Sequence, residues 1–409
     1  MSKPVVLFVP PKILLETSES EWLEALGEKF VILTAAGGRD ALEKHLPNML
    51  GSMEFFDDFN DNPAVELRAL DVARDLTTDL VIALAEVDLL RAARVRDRLN
   101  FSTTRHEQNT QYFRDKFLMK QRLAEHGIKI HPMRTFHSAL ELKDFIDTHG
   151  YPVVAKPRDG RGSGGVRVLR EHADFLAYIS TMDATTFQNL MVEKFVEAPM
   201  LHVNGLYVDG EAVFITPVRA NIGCLAFLDG ESLGVAMLDR DSELRTRTVE
   251  LTKRILEVAL PSPRNFLFYL ELFVVDGELV VCEIASRLGG NGVNQEVIEA
   301  FGISPRLEFI RAERGVSSLR GVTLEPKALV GYIAVPPREG MLVDFPDSPQ
   351  HDFIRSYNIT GQRGKKYEKM KLTNGEVVCA VVEGATEAHV ASRLSEFDAW
   401  VATNFVWQQ

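Results

Sequence analysis

One stretch, YPVVAKPRDGRGSGGVRVLR at residues 151–170, restricts the fold more than any other. Gly160, Gly162 and Gly165 have the spacing G-x-G-x-x-G. A dinucleotide-binding loop needs a strand before its glycines and a helix after them, whose N-terminus receives the pyrophosphate. Here YPVVAKP reads as a strand. VRVLR alternates apolar and basic residues and reads as a second strand. The context is strand–loop–strand, so the dinucleotide reading fails. A P-loop fails as well, because Gly364–Lys365 is followed by Lys366 and Ile359 stands where the first glycine should be. What remains is a glycine hairpin. Its backbone N–H groups can approach phosphate oxygens without a Cβ in the way. Ser163 adds a hydroxyl donor and Lys156 a point charge. The competing reading is a plain mobile surface hairpin, and the rest of the chain has to decide.

Residues 5–9 (VVLFV), 30–35 (FVILTA) and 79–86 (DLVIALAE) read as strands, with helices at 19–29 and 89–100. Strands alternating with helices predict a parallel α/β unit ending near residue 105. Helices are expected at 114–132, 139–150 and 171–181, the first two closed by Gly127 and Gly150. Residues 191–218 read as strands with a hairpin at Asp209–Gly210, and LFYLELFVVDGELVVCEIA (267–285) repeats that design at Asp276–Gly277. Residues 310–409 mix short strands and helices and end in a helix near 386–403. GQRGKKYEK reads as a loop.

The formal net charge is −12 and no long Lys/Arg tract occurs. That argues against nucleic acid as a partner, but not against a small anionic ligand. Cys224, Cys282 and Cys379 are far apart with no C-x-x-C, as in a reduced, cytoplasmic protein. The apolar N-terminal run is too short for a secretory segment. No run reaches the roughly 18–20 apolar residues of a membrane span. No H-E-x-x-H and no paired Cys/His zinc spacing is present.

Five pieces follow in a fixed order: Lys116 in RDKF, AKPRDGRGSGGV, VEKFVEAPMLHVNGL (192–206), Glu271 in LELFVV, and CEIASRLGGNGV (282–293). Together, over residues 1–310, they resemble the ATP-grasp superfamily of carboxylate–amine ligases. The tail resembles the end module of the branch that holds L-amino acid ligases (dipeptide synthetases) and biotin-carboxylase-type enzymes. The resemblance implies an α/β fold with four parts. These are a Rossmann-like parallel α/β domain (1–105), a glycine-hairpin lid with its linker helix (106–190), a central antiparallel sheet with metal ligands (191–310), and a C-terminal α+β module (311–409).

The same resemblance implies ATP with Mg²⁺, or Mn²⁺ in its place, and small-molecule carboxylate and amine substrates. A homodimer is common in this branch. Lys116 and Lys156 would bind the α- and β-phosphates. Gly160, Gly162, Ser163, Gly164 and Gly165 would cover the β- and γ-phosphates. Glu193, Lys194, Phe195 and Val196 would form the adenine strand, with His202 beside it. Glu271 and Glu283 would hold the metal, and Arg287 with Glu283 would be catalytic. Asn291, Asn294 and Arg219 are candidates for substrate contact. A helix cap for Asn291 and a surface position for Arg219 are the plainer readings. Two alternatives stay open: an ATP-grasp enzyme with another acceptor (a purine-pathway or carrier-linked carboxylate), and a catalytically silent nucleotide binder.

Glu271 is informative without any resemblance, because it interrupts an apolar run where a carboxylate is costly to bury unless paired or metal-bound. Glu283, between Cys282 and Ile284, is similar. A simple two-residue turn at Asp276–Gly277 would set Glu271 opposite Cys282 and send Glu283 to the other face. One ion could not then use both. An odd-length loop, or a bulge with a left-handed Gly277, is therefore expected. Two positions depart from the family pattern. Met200 stands where a ribose-binding Glu is common, and Ala285 stands where E-x-N-x-R has its Asn.

Overall fold

The structure is a computed structural model that describes residues 3–99, 106–182, 186–349, 351–373 and 375–408. The boundary expected at residue 105 lies outside them.

Strands β1 (Val5–Phe8), β2 (Phe30–Ala35), β3 (Met53–Phe56) and β4 (Leu80–Ala83) form a parallel sheet in the order β3-β2-β1-β4. β1 is an unbroken apolar run because both its faces are covered. Val5 and Leu7 join the large central core. Val6 and Phe8 pack instead with Val65, Ala69 and Val72 of helix Ala64–Asp75, and with Ala92 and Val95 of helix Leu89–Arg98.

A second sheet is antiparallel: β5 (Met133–Thr135), β6 (Val153–Pro157), β7 (Arg167–Leu169) and β8 (Leu190–Lys194), in the order β5-β8-β6-β7. β6 pairs with β7 from Val153↔Leu169 to Ala155↔Arg167, so the glycine loop joins two strands as its sequence requires. Helix Ala139–His149 covers this sheet with Leu142, Phe145 and Ile146. Ser138 caps it by accepting the Glu141 N–H at 3.2 Å, and Gly150 ends it at φ 69°. A left-handed φ favours glycine there.

The remaining strands are β9 (Met200–Val208), β10 (Glu211–Ala220), β11 (Leu233–Met237), β12 (Phe266–Val275), β13 (Glu278–Ala285), β14 (Leu329–Val335), β15 (Gly340–Asp344), β16 (Ile354–Ile359), β17 (Lys365–Tyr367), β18 (Val378–Gly384) and β19 (Val406–Gln408). Eight of them form one sheet, β13-β12-β9-β10-β11-β14-β18-β16, and three a small one, β17-β15-β19. The large sheet runs straight across residue 310. The tail therefore completes the central sheet rather than hanging from it, because β14 pairs along β11 from Leu233↔Ala334 to Ala236↔Gly331. The segment expected as a Lys-rich loop contains β17. Its lysines stay exposed while Tyr367 packs edge-on against Trp407, with ring centroids 5.7 Å apart. Lysines on an edge strand are compatible with pairing on one side only. No helix among the described residues is long and apolar enough to cross a membrane.

Candidate active site

A cavity of about 660 Å³ opens where the three larger sheets meet. Its wall combines the glycine hairpin, the chain leaving β8, the β12–β13 hairpin, Glu86 just past β4, and Leu372–Thr373.

The β12–β13 hairpin places two carboxylates in this wall. Its turn is short: Val275 pairs with Glu278, and Asp276 and Gly277 have φ of 49° and 79°. That is the mirror-image turn favoured between twisted strands. The odd-length loop is therefore absent. The register changes further along, where Leu272 pairs with Val281 but Glu271 pairs with Glu283. Cys282 is the extra residue of a β-bulge. Glu271 and Glu283 consequently stand directly opposite each other. The expected shared face is reached by a bulge at Cys282, five residues beyond Gly277, rather than at the turn itself.

Glu271 accepts a hydrogen bond from the Tyr269 hydroxyl at 2.8 Å and lies 3.7 Å from the Cys224 thiol. Burial, and then the charge of Glu283, push its carboxyl up to about 7. Glu283 meets the Lys116 ammonium at 3.1 Å. Two facing carboxylates, one of them only 9 % exposed, are a hard-oxygen donor set of the kind that suits Mg²⁺. Ala285 offers no donor.

The cations come from elements fixed nearby. Lys116 opens helix Lys116–Glu125, whose N-cap Asp115 accepts the N–H groups of Phe117 and Leu118 at 3.0 and 3.1 Å. Its ammonium donates to the Gly160 carbonyl at 2.6 Å, tying helix to hairpin. Lys156, on β6, pairs with Glu193, whose other oxygen is taken by Lys120. Burial would raise the Glu193 carboxyl, but Lys120 and Lys156 outweigh it and hold it at about 2. Glu86 bridges Arg114 and Arg287, with Arg287 at 2.6 Å. Burial opposes its charge too, and Arg287, Arg114 and Lys116 bring it to about 2.

The hairpin over the cavity is tightly turned. Gly162, Ser163 and Gly165 have φ of 54°, 59° and 76°. Its tip leans on the tail: the Thr373 N–H donates to the Gly162 carbonyl at 3.2 Å, and a Cβ on Gly164 would come within 2.9 Å of Leu372.

Of the residues singled out from sequence, Lys116, Lys156, Gly160, Gly162, Ser163, Gly164, Glu193–Val196, Glu271, Glu283, Arg287 and Asn291 all line this cavity. Gly165 folds back against Pro157 beside it. Arg219 does not line it, and pairs with Glu387 of the last helix at 2.5 Å. Asn294 is buried at the start of helix Val293–Phe301, off the wall. His202 is buried behind the wall, opposite Glu271 in the β9–β12 ladder. Sequence reasoning missed Glu86, Arg114 and Lys120. Two signals were available. Glu86 follows the carboxyl end of a parallel strand, where α/β sheets place ligands. Lys120 lies four residues after Lys116, on the same helical face.

The fold matches that of ATP-grasp enzymes, and this site brings together the cations and paired carboxylates that a carboxylate–amine ligase of that fold would need. Residues 115–208 match the carbamoyl-phosphate synthase L chain, ATP binding domain. The chain resembles the L-arginine-specific L-amino acid ligase of Bacillus subtilis, 24 % identical over 303 residues, covering 71 % of this chain and 70 % of that one. Its fold is that of the L-amino acid ligase from Bacillus licheniformis (TM-score 0.72, 18 % identity, 100 % and 99 % of the two chains). It is similar to the carboxyaminoimidazole ribonucleotide synthase from Aspergillus clavatus complexed with ATP (TM-score 0.73, 15 % identity, 98 % and 99 %).

Proposed function

We propose that this protein joins an amino-acid carboxylate to an amine, with ATP cleaved to ADP and phosphate through an acyl-phosphate. The observation that carries this reading is the facing pair Glu271–Glu283, with Lys116 on one side and Arg287 in the same wall, beneath a glycine hairpin.

In this reading a carboxylate oxygen of the substrate takes the γ-phosphoryl group and ADP departs. The amine nitrogen then attacks the acyl carbon, the C–N bond forms, and phosphate leaves with the amine's proton. Phosphoryl transfer asks the protein mainly for positioning and charge neutralisation. Glu271 and Glu283 would hold Mg²⁺, which supplies neutralisation of phosphate charge. Lys116 and Lys156 bind the α- and β-phosphates. The 160–165 hairpin covers the β- and γ-phosphates and excludes water. Arg287, held by Glu86, stabilises the transferring group. Because both Glu193 oxygens are engaged by lysines, the backbone of Lys194–Val196 reads the adenine edge. Asn291 faces the substrate. The chain divides functionally near residues 105, 190 and 310, works in the cytoplasm, and pairs as a homodimer, which light scattering would check.

The test is ADP release over a panel of amino acids with hydroxylamine present. Carboxylate-dependent hydroxamate from at least one amino acid is expected. ADP release with no hydroxamate from any of them would overturn the amino-acid reading.

A further inference from the structure

We propose that His202, Cys224 and Glu271 form a site for a single borderline divalent transition metal of the Zn²⁺ or Co²⁺ kind, distinct from the hard-oxygen pair Glu271–Glu283 and sharing Glu271 with it. The three side chains come from separate elements. His202 lies on β9, Glu271 on β12, and Cys224 begins the helix Cys224–Leu228 that follows β10. Yet one ligand atom from each lies within 4.8 Å of the other two. Tetrahedral zinc, with ligand distances of about 2.0–2.3 Å, holds its ligand atoms about 3.3–3.8 Å apart. Cys224 Sγ and Glu271 Oε1 are already 3.7 Å apart. Small side-chain shifts close the triangle.

His202 is the second, independent observation. It is 1 % exposed, and among the described residues neither ring nitrogen has a hydrogen-bond partner. Buried polar groups are almost always satisfied, and an exception calls for a cause such as an ion. The edge of Tyr269 lies against its ring, with centroids 5.4 Å apart, but supplies no bond to either nitrogen. In the ladder His202 stands opposite Glu271, and Glu271 opposite Glu283. Glu271 thus sits between two different donor sets. On one side is a second carboxylate, which suits Mg²⁺. On the other are an imidazole and a thiol, which suit zinc or cobalt and disfavour magnesium. Ligation releases the Cys224 thiol proton to solvent, and no oxidant or reductant takes part. Because Glu271 is shared, zinc here draws one oxygen ligand from the magnesium pair and slows ATP turnover, and chelation restores it.

The full chain, saturated with Mg²⁺, would be titrated with Co²⁺. A near-ultraviolet thiolate-to-cobalt band saturating at one equivalent is expected. It is lost in Cys224→Ser, weakened in His202→Gln, and retained in Cys379→Ser. A band that survives Cys224→Ser, or no band at all, overturns the proposal. Wild-type protein gives a readout that needs no variant, since Cys224 is partly exposed. Zn²⁺ at about ten times its Kd is expected to slow alkylation of Cys224 about tenfold, while Mg²⁺ does not. Equal alkylation rates with zinc and magnesium contradict the site. Neither readout depends on ligase activity, so the metal site and the ligase reading fail separately.

Discussion

Glu193 shows how far a single side chain's surroundings govern its behaviour. It was expected at the adenine edge, but it lies buried between Lys120 and Lys156. Its carboxyl is held at about 2 against an ordinary 4.5. A lowered carboxylate contributes stability that is complete above pH 4.5 and is lost as pH falls toward 2. Glu193→Gln leaves two buried ammonium groups without their counter-charge. It should therefore destabilise the fold by about 3 kcal/mol. It should also flatten the dependence of Tm on pH between about 2 and 4.5, although Glu86, lowered in the same way, keeps part of the slope. A melting curve unchanged from the wild type at neutral pH would contradict the buried triad. Glu283→Gln is a different case. It keeps the side-chain shape and removes one of two facing charges. Turnover should fall on the order of 10²-fold or more with little change in Tm, and near-normal turnover would refute its metal role.

At the scale of the element, the β12–β13 hairpin separates turn chemistry from site chemistry. The turn needs left-handed φ at Asp276 and Gly277, whereas the alignment of Glu271 with Glu283 depends on the bulge at Cys282. A Cβ added to Gly277 meets no described atom within 4 Å, so Gly277→Ala bears only the left-handed penalty, about 1–2 kcal/mol. Chemical denaturation should register that loss while kcat stays the same. A drop in kcat would mean that the turn, not the bulge, sets the carboxylates. The glycine hairpin gives a second prediction. Amide exchange over residues 160–165 should slow when ATP and Mg²⁺ are added. Equal exchange with and without nucleotide would exclude closure. The strand–loop–strand context and the carboxylates inside apolar runs were legible in the sequence, because periodicity and misplaced charge are local signals. The bulge was legible only as a need, since nothing local at Cys282 marks an extra residue. Arg219 and His202 show the other limit. Their positions relative to the cavity depend on which residues face them across the sheet or from a helix 168 positions away, and no local pattern carries that.

At the scale of the whole molecule, the site exists only because distant segments converge. Glu86 comes from the parallel unit, Lys116 and Lys156 from the linker helix and lid sheet, and Glu271 and Glu283 from the two strands at the β13 edge of the large sheet. Leu372 and Thr373 bring the tail against the hairpin tip. The eight-stranded sheet binds residues before and after 310 into one layer, which composition alone did not reveal. What this assembly is proposed to do is move a phosphoryl group onto a carboxylate oxygen. The most direct measurement follows that oxygen. An amino acid accepted in the hydroxamate assay would be supplied with ¹⁸O in its carboxylate, together with ATP, Mg²⁺ and an amine, and the released phosphate analysed by mass spectrometry. One ¹⁸O in the phosphate is expected for every amide formed. Amide formation with unlabelled phosphate would contradict the acyl-phosphate route.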